Sequence, residues 1–419
     1  MVDPSRKRIL IAGAGIAGPV CATLLAQNGH SVTIVERASN FRDYGQQIDV
    51  DGAGLEVVKR MGLLNQIKER TTEDAGIRFV DTNDNDIAAF AAGTGGPEGL
   101  VKEIEIMRRD LANVFYGASK KGTNGTEYMF GDYITAISQS AEHATVSFNS
   151  GKDRDFDIVI AADGLSSKTR DIAFGKSSAV IKDLGMVVGY FTIPHFEPEG
   201  TWSRWYNAPG GRTSSTRPRP KEGKTGAYLC ICSPDLPHIE SMSNTEQKAM
   251  LKQRFSGTGW ENDRILKEME SSEDLYMSRV AQVKAASWTK GRVALLGDAG
   301  YCPSPVSGQG TTLAIVGAYV LAGCICANDS VEEGLRQYER DMKPFVDKAQ
   351  KLPPGVPQIA NPQTAFGIWL FNIALRFGHV IVNYGIAGWI GWLSKPLTAI
   401  WPSAELRLPD YPHFRTSAA

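Results

Sequence analysis

Arg8-Ile9-Leu10-Ile11-Ala12-Gly13-Ala14-Gly15-Ile16-Ala17-Gly18 places a short apolar run directly before three spaced glycines. Such a run reads as a buried parallel strand. Residues 16–28 that follow have helix-forming composition and an Asn-Gly stop, so the glycines fall at a strand-to-helix turn. Each glycine has its own task there: Gly13 permits the tight turn, Gly15 lets backbone approach phosphate oxygens, and Gly18 lets helix and strand pack closely. The N–H groups of the helix start supply the anion site. A lone G-x-G-x-x-G is a weak signal, but here the next strand, 30–35, runs into Glu36 about 20 residues beyond the glycines, where a carboxylate accepts ribose hydroxyls. Strand, turn, helix, strand and acid together predict a dinucleotide site; the competing reading is an ordinary glycine-rich turn. Which dinucleotide binds is left open.

The rest of the composition suits a globular enzyme. A chain of 419 residues exceeds one simple core and suggests roughly two or three domains. Lys and Arg number 45 against 46 Asp and Glu, so no global field draws nucleic acid or an acidic membrane, and nucleic acid is not an expected partner. Six cysteines lie mostly in apolar runs, with no C-x-x-C and no cysteine–histidine cluster, which argues for reduced thiols and against a zinc site or disulfide scaffold. The apolar run near the start becomes the phosphate turn and does not read as a cleaved signal. A reducing, cytoplasmic setting and no bound metal are expected.

Two further strand ends carry chemistry. Residues 156–162 form an apolar strand that exits sharply at Asp163-Gly164, with Ser167 and Arg170 on the first turn of the next helix. Residues 292–296 form another, ending at Gly297-Asp298-Ala299, and Pro303, Pro305, Gly308 and Gly310 then open the apolar helix 311–326. Between these units, residues 105–111 pass from strand to helix with Asp110 in the first turn. Arg108 there is a candidate cofactor contact or else a solvated arginine paired with Asp110. Three junctions at strand ends point to one extended ligand.

In order and spacing, Gly13-x-Gly15-x-x-Gly18 with Glu36, Asp163-Gly164 with Ser167 and Arg170, and Gly297-Asp298-Ala299 with Pro305, Gly308 and Gly310 resemble the single-component FAD-dependent monooxygenases. These are the group related to p-hydroxybenzoate hydroxylase and the tetracycline-inactivating monooxygenases. The resemblance implies that Glu36 binds the adenosine ribose, Arg108 contacts FAD, and Asp298 holds the ribityl chain. It implies that the Gly308-Gln309-Gly310 turn lies beneath the flavin ring, that Pro305 is a cofactor-binding residue, and that Asp163 and Arg170 serve FAD, a further role toward NAD(P)H being open. The sequence departs from the pattern at Gly300-Tyr301, where many members have Ala-His, and at Thr312, where asparagine is common; those roles are not carried over. Residues 44–49 replace a more glycine-rich loop, so Gln47 or its backbone touches FAD or only shapes the loop.

The implied activity is oxygen insertion into an aromatic, polyketide-like or other electron-rich small molecule, through a flavin C4a-hydroperoxide formed from O2 after reduction by NADPH or NADH. The cofactor motifs do not encode oxygen use, so an FAD-dependent dehydrogenase or reductase and a non-catalytic flavin-binding protein stay open. The expected fold class is α/β: a Rossmann-like FAD-binding domain, a mixed, mainly antiparallel substrate-domain sheet, and a C-terminal helical segment. The expected partition gives 1–76, 102–180 and 286–345 to the FAD-binding domain, 77–101 and 181–285 to the substrate domain, and 346–419 to the helical segment.

In the substrate domain a hairpin is expected over 77–90, and strands over 186–193, 201–206 and 227–232. Arg204 and Tyr206, with Trp205, are candidates for the substrate pocket; ordinary sheet packing is the alternative. Residues 207–226, rich in Arg, Lys, Pro and Gly, read as a solvated hairpin loop, with contact to an NADPH phosphate the weaker alternative. Residues 366–393 are apolar but interrupted by Arg376, His379 and Asn383, which predicts a helix packed over the substrate domain in preference to peripheral membrane contact. Oligomeric state and substrate identity are not encoded in any recognisable pattern.

Overall fold

The computed structural model describes residues 6–41, 45–72, 74–92, 104–121, 125–383 and 407–414. One layer is a six-stranded sheet in the order Thr289–Lys290, Val293–Leu295, Ile158–Ala161, Arg8–Ala12, Ser31–Glu36, Glu127–Phe130. Neighbours run parallel except the first two. Its central strands are continuous apolar runs because both faces are covered. Ile9 and Ile11 pack with helices Ala17–Gln27 and Gly310–Ala327, and Leu10 packs with Val146, Phe148 and Phe156 of a three-stranded antiparallel sheet. Gly310–Ala327 is the one described helix long and apolar enough to cross a membrane, and most of it is buried within the fold.

A seven-stranded sheet forms the second layer, in the order Tyr276–Ala285, Ala179–Pro194, Lys224–Cys232, Arg212–Arg219, Trp202–Ala208, Gly76–Val80, Asp86–Ala91. It is antiparallel apart from the pairing of Trp202–Ala208 with Gly76–Val80. The fold is therefore α/β with a mixed, mainly antiparallel second sheet. Side chains alternate between its faces. Val187, Phe191, Leu229 and Ile231 pack under helices Asn244–Phe255 and Asn262–Ser271, whereas Val188, Tyr190, Tyr228 and Cys230 face the other way.

That alternation moves two predicted pocket residues. Arg204 and Tyr206 lie on the helix-covered face and are not brought to the face that meets the nucleotide-binding layer. Arg204 is 1% exposed; its guanidinium donates to Glu261 (2.6 Å), Glu199 (2.9 Å) and Asp84 (3.2 Å) and lies over the Trp260 ring. Tyr206 stacks on Trp260 and donates its hydroxyl to the Thr258 carbonyl at 2.7 Å. Trp205, on the opposite face, packs with Phe79 and Phe371. Removing one partner from a buried ionic network leaves charge unpaired, so Arg204→Met is expected to destabilise the fold by roughly 3 kcal/mol without changing flavin content. Chemical unfolding followed by tryptophan fluorescence checks this, and an unchanged midpoint would refute it.

The stretch 207–226 is also different from expectation. It is not a solvated loop: Arg212–Arg219 is an interior strand between Trp202–Ala208 and Lys224–Cys232. Two of its buried hydroxyls find distant partners, Thr213 donating to Asn361 (2.6 Å) and Ser214 to Asn262 (2.5 Å).

The helix Ala365–Asn383 packs on the strands Asp86–Ala91 and Trp202–Ala208, as the apolar pattern predicts. His379 is a packing residue there, its Nδ1 2.7 Å from the Ala89 carbonyl oxygen. Residues 93–101 of the expected substrate domain and 384–393 of the expected helix lie outside the described residues. The chain returns at 407–414, where Arg60 donates to the Pro409 carbonyl (3.0 Å) and Tyr411 packs on Tyr319.

Candidate active site

The parallel sheet brings the C-terminal ends of Arg8–Ala12, Ser31–Glu36 and Ile158–Ala161 to one edge, where a ligand crevice forms in such sheets. A cleft of about 300 Å³ opens there, and Gly13, Gly15, Glu36, Arg108 and Asp163 all line it. Gly13 and Gly18 sit where the chain packs too closely for a side chain. Gly13 has φ 111° and donates its N–H to the Val35 carbonyl at 2.8 Å, and a Cβ on it would overlap the Ala162 carbonyl oxygen. A Cβ on Gly18 would overlap the Gly13 carbonyl oxygen. Gly15 is different: the nearest atom to its Cβ position is Arg108 Nη2 at 3.6 Å, so its open side faces the cleft. Helix Ala17–Gln27 has no side-chain cap at its N-terminus, which leaves its dipole end available to an anion. Glu36 sits at the rim, its carboxylate accepting the Ala14 and Ala38 N–H groups at 3.0 Å each.

Arg108 begins helix Arg108–Ser119, and its side chain runs between Gly45 and Gly15. It is Arg109 that lies beside Asp110 (3.7 Å) and donates to Glu222 (2.9 Å), so the solvated pairing considered for Arg108 belongs to its neighbour. Asp298 opens the short helix Asp298–Tyr301 after Gly297, whose φ is 64°. Burial pushes its carboxyl above the usual aspartate value, against the opposing pull of the Cys302 thiol and the Arg108 charge. A carboxylate in such a position gains from hydroxyl donors that a ligand brings.

Asp163 is on the cleft wall, but its carboxylate is already engaged by the Ser167 hydroxyl and by the Thr169 N–H (3.0 Å) and hydroxyl (2.9 Å). Arg170 stands behind the wall. It is 3% exposed and donates to the carbonyls of Leu165 and Ala299, each at 3.0 Å, fastening the Asp163 turn to the Asp298 turn. Pro305 begins the 3₁₀ turn Pro305–Ser307, Gly308 is left-handed with φ 64°, and Gln309 precedes helix Gly310–Ala327 without capping it. Nothing lies within 4 Å of a Cβ on Gly308 or Gly310, so this second uncapped helix start is also open. Where the pattern commonly has asparagine, Thr312 donates to Asp51 at 2.8 Å, and Tyr301 is a core residue bonded to the Tyr338 hydroxyl at 2.9 Å.

The Pro305–Ser307 turn meets strand Tyr276–Ala285 of the seven-stranded sheet, and Val306 packs against the buried cluster that holds Val188, Tyr190 and Cys230, on which Tyr228 and Tyr276 also pack. Tyr190 stacks on Tyr276 with centroids 5.1 Å apart and meets Tyr228 edge-on at 5.2 Å. Beside them Arg217 pairs with Glu105 and lies over the Tyr228 ring at 5.6 Å. Burial raises the Glu105 carboxyl to about 7, with Asp74 and Asp49 adding to the rise and Arg217 opposing it. Gln47 lies at the edge of this group, 5% exposed, and neither Nε2 nor Oε1 has a hydrogen-bond partner. Tyr190, Tyr228, Tyr276, Glu105 and Arg217 were not singled out by sequence. The usable signal for the tyrosines was the period-2 alternation of the strands that carry them.

A cleft at the Gly13–Gly18 turn with a glycine backbone accessible to phosphate, together with a second open helix start and an unpartnered buried amide elsewhere in the fold, fits FAD. The chain belongs to the FAD-binding domain family, which it matches over residues 6–352. It is 34% identical to the FAD-dependent monooxygenase asL6 of Sarocladium schorii over 98% of this chain and 99% of that protein. It is 35% identical to the monooxygenase CTB7 of Cercospora beticola over 97% and 98%. Among solved structures, tetracycline destructase Tet(55) superposes with a TM-score of 0.79 at 29% identity, covering 97% of this chain and 100% of that one. The protein is an FAD-dependent monooxygenase.

Proposed function

We propose that FAD lies along the cleft, with its pyrophosphate at the Gly13–Gly18 turn, and that an electron-rich aromatic or polyketide-like molecule is oxygenated beside Val306 and the tyrosine face. Bound FAD supplies the redox chemistry: it takes two electrons from NADPH or NADH and activates O2, one oxygen atom entering the substrate and the other leaving as water. The chain supplies position and electrostatics. Arg108 and the start of helix Ala17–Gln27 offset the phosphate charge, Glu36 accepts ribose hydroxyls, Asp298 accepts from the ribityl chain, and the start of helix Gly310–Ala327 faces the ring. Gln47 offers one donor and one acceptor to the cofactor edge. Asp163 and Arg170 act by holding the wall in shape. The tyrosines and Val306 exclude water from the reacting face. The partition 1–76, 102–180 and 286–345 against 77–101 and 181–285, with 346–419 as the helical segment, suits this division of labour. Free, mostly buried thiols suit a cytoplasmic setting.

The observation that carries the reading is the meeting of the Pro305–Ser307 turn with the tyrosine face at Val306. It supports a reading in which an aromatic surface lies near the ring end of the cofactor. The similarity to a tetracycline destructase supports a polycyclic substrate. A panel of phenolic and polycyclic compounds, screened with FAD-loaded enzyme, should contain members that stimulate NADPH oxidation with O2 uptake and gain one oxygen by mass spectrometry. Stimulated NADPH oxidation without O2 uptake would point to a dehydrogenase, and FAD binding with no stimulation by any compound to a non-catalytic protein.

A further inference from the structure

Segment 45–47 lies between Arg108 of the cleft and the seven-stranded sheet and is held from two sides. On one side it rests on Arg108: a Cβ on Gly45 would lie 3.1 Å from Arg108 Cβ, and the Gln46 carbonyl accepts the Arg108 N–H at 3.0 Å. On the other side two phenols of the seven-stranded sheet hold it. Gln47 N–H donates to the Tyr228 hydroxyl at 3.2 Å, and the Tyr276 hydroxyl donates to Gln46 Oε1.

The phenols are themselves fixed. Tyr190 packs against both rings, and the Arg217 guanidinium covers Tyr228. Arg217 is anchored by Glu105, the two side chains being 28% and 10% exposed. Glu105 lies on strand Ile104–Met107, which pairs with Gln47–Val50 so that Gln47 faces Met107 and Asp49 faces Glu105. The connections run from the tyrosine face through segment 45–47 to Arg108, and from Arg108 to the open side of Gly15.

We propose that Tyr228 and Tyr276 are positioning residues for the cofactor: through segment 45–47 they hold Arg108 over the Gly13–Gly18 turn, so the surface that receives substrate also sets how tightly the pyrophosphate is gripped. This rests on the placement of FAD and substrate given above. A phenol hydroxyl that holds a backbone N–H or an amide oxygen contributes a net hydrogen bond, and its removal loosens what the bond restrains. Because the effect passes through Arg108, it belongs to the phosphate end of the cofactor and not to the ring end.

The test uses Tyr228→Phe and Tyr276→Phe in the full chain, stripped of flavin, with FAD and ADP each titrated separately. Each substitution should weaken both FAD and ADP by roughly three- to tenfold. The melting temperature of the flavin-free protein should stay within a few degrees of wild type. Glu36→Gln, which acts on the ribose, is the comparison for a direct contact. Unchanged affinity for both ligands in both variants overturns the proposal. Weakened FAD with unchanged ADP also overturns it, since the phenols would then act on the ring directly. If one variant fails to fold, the other decides by the same two readings. A wild-type protein that takes up neither FAD nor ADP would overturn the cofactor placement itself.

Discussion

Valine at position 15 should leave the flavin-free protein folded and abolish flavin retention, whereas alanine at position 18 should prevent folding. The two glycines belong to one motif, yet their surroundings differ. The Cβ position of Gly15 is clear to Arg108 Nη2 at 3.6 Å, and its φ is not in the left-handed region, so the chain itself accommodates a side chain there. What the side chain excludes is the pyrophosphate, whose oxygens must approach the backbone N–H groups of the turn. Several charge-assisted hydrogen bonds fail together, and FAD affinity should fall on the order of 100-fold or more. Alanine at 18 instead drives a methyl group into the Gly13 carbonyl oxygen, with the strand end on one side and the helix on the other. Far-ultraviolet circular dichroism and the flavin absorbance of the purified protein separate the two outcomes. Full flavin content in Gly15→Val would refute the placement of the phosphates.

Asp298→Ala is expected to move stability and cofactor affinity in opposite directions. Burial raises the carboxyl of Asp298 in the flavin-free protein, which means that the ionised form is disfavoured by its surroundings. For an acid whose folded value is raised, stability is fully present below the unfolded value and declines as pH rises through the folded value. At neutral pH the wild-type protein carries this penalty, and alanine removes it. The flavin-free variant should therefore melt higher at pH 7, with the gain disappearing in acid. With FAD added the order should reverse, because the acceptor for the ribityl hydroxyls and a neighbour for Arg108 are both gone. FAD affinity should drop roughly 10- to 100-fold, and Asn, which keeps one acceptor oxygen, should fall between. Thermal melts with and without FAD at two pH values check both signs. Normal flavin content with a normal melting point would count against a cofactor role for Asp298.

The parts legible in the sequence are those whose chemistry is local. The Gly13–Gly18 turn, the Asp163 and Asp298 junctions and the open start of helix Gly310–Ala327 each declare themselves within about ten residues, because a strand end, a glycine and an acid suffice to define them. The face of a strand is not local information. Arg204, Trp205 and Tyr206 alternate correctly, but which of them meets the nucleotide-binding layer depends on where Asn244–Phe255 and Asn262–Ser271 pack, some 40–60 residues later. The same holds for Arg212–Arg219. Its hydroxyls and guanidinium read as a solvated loop until Asn262, Asn361 and Glu105 arrive from elsewhere in the chain. Arg108 and Arg109 are adjacent and chemically alike. Helix geometry sends one toward Gly15 and the other to Glu222, a difference no composition encodes.

Arg170, fastened by one guanidinium nitrogen to Leu165 and Ala299, joins segments more than a hundred residues apart behind the cleft wall. The consequence is kinetic as well as geometric. A receptor whose halves are already locked together loses little conformational entropy when its ligand enters. Capture of the flavin should then follow simple one-step kinetics close to the encounter rate, and cofactor exchange should be governed by escape alone.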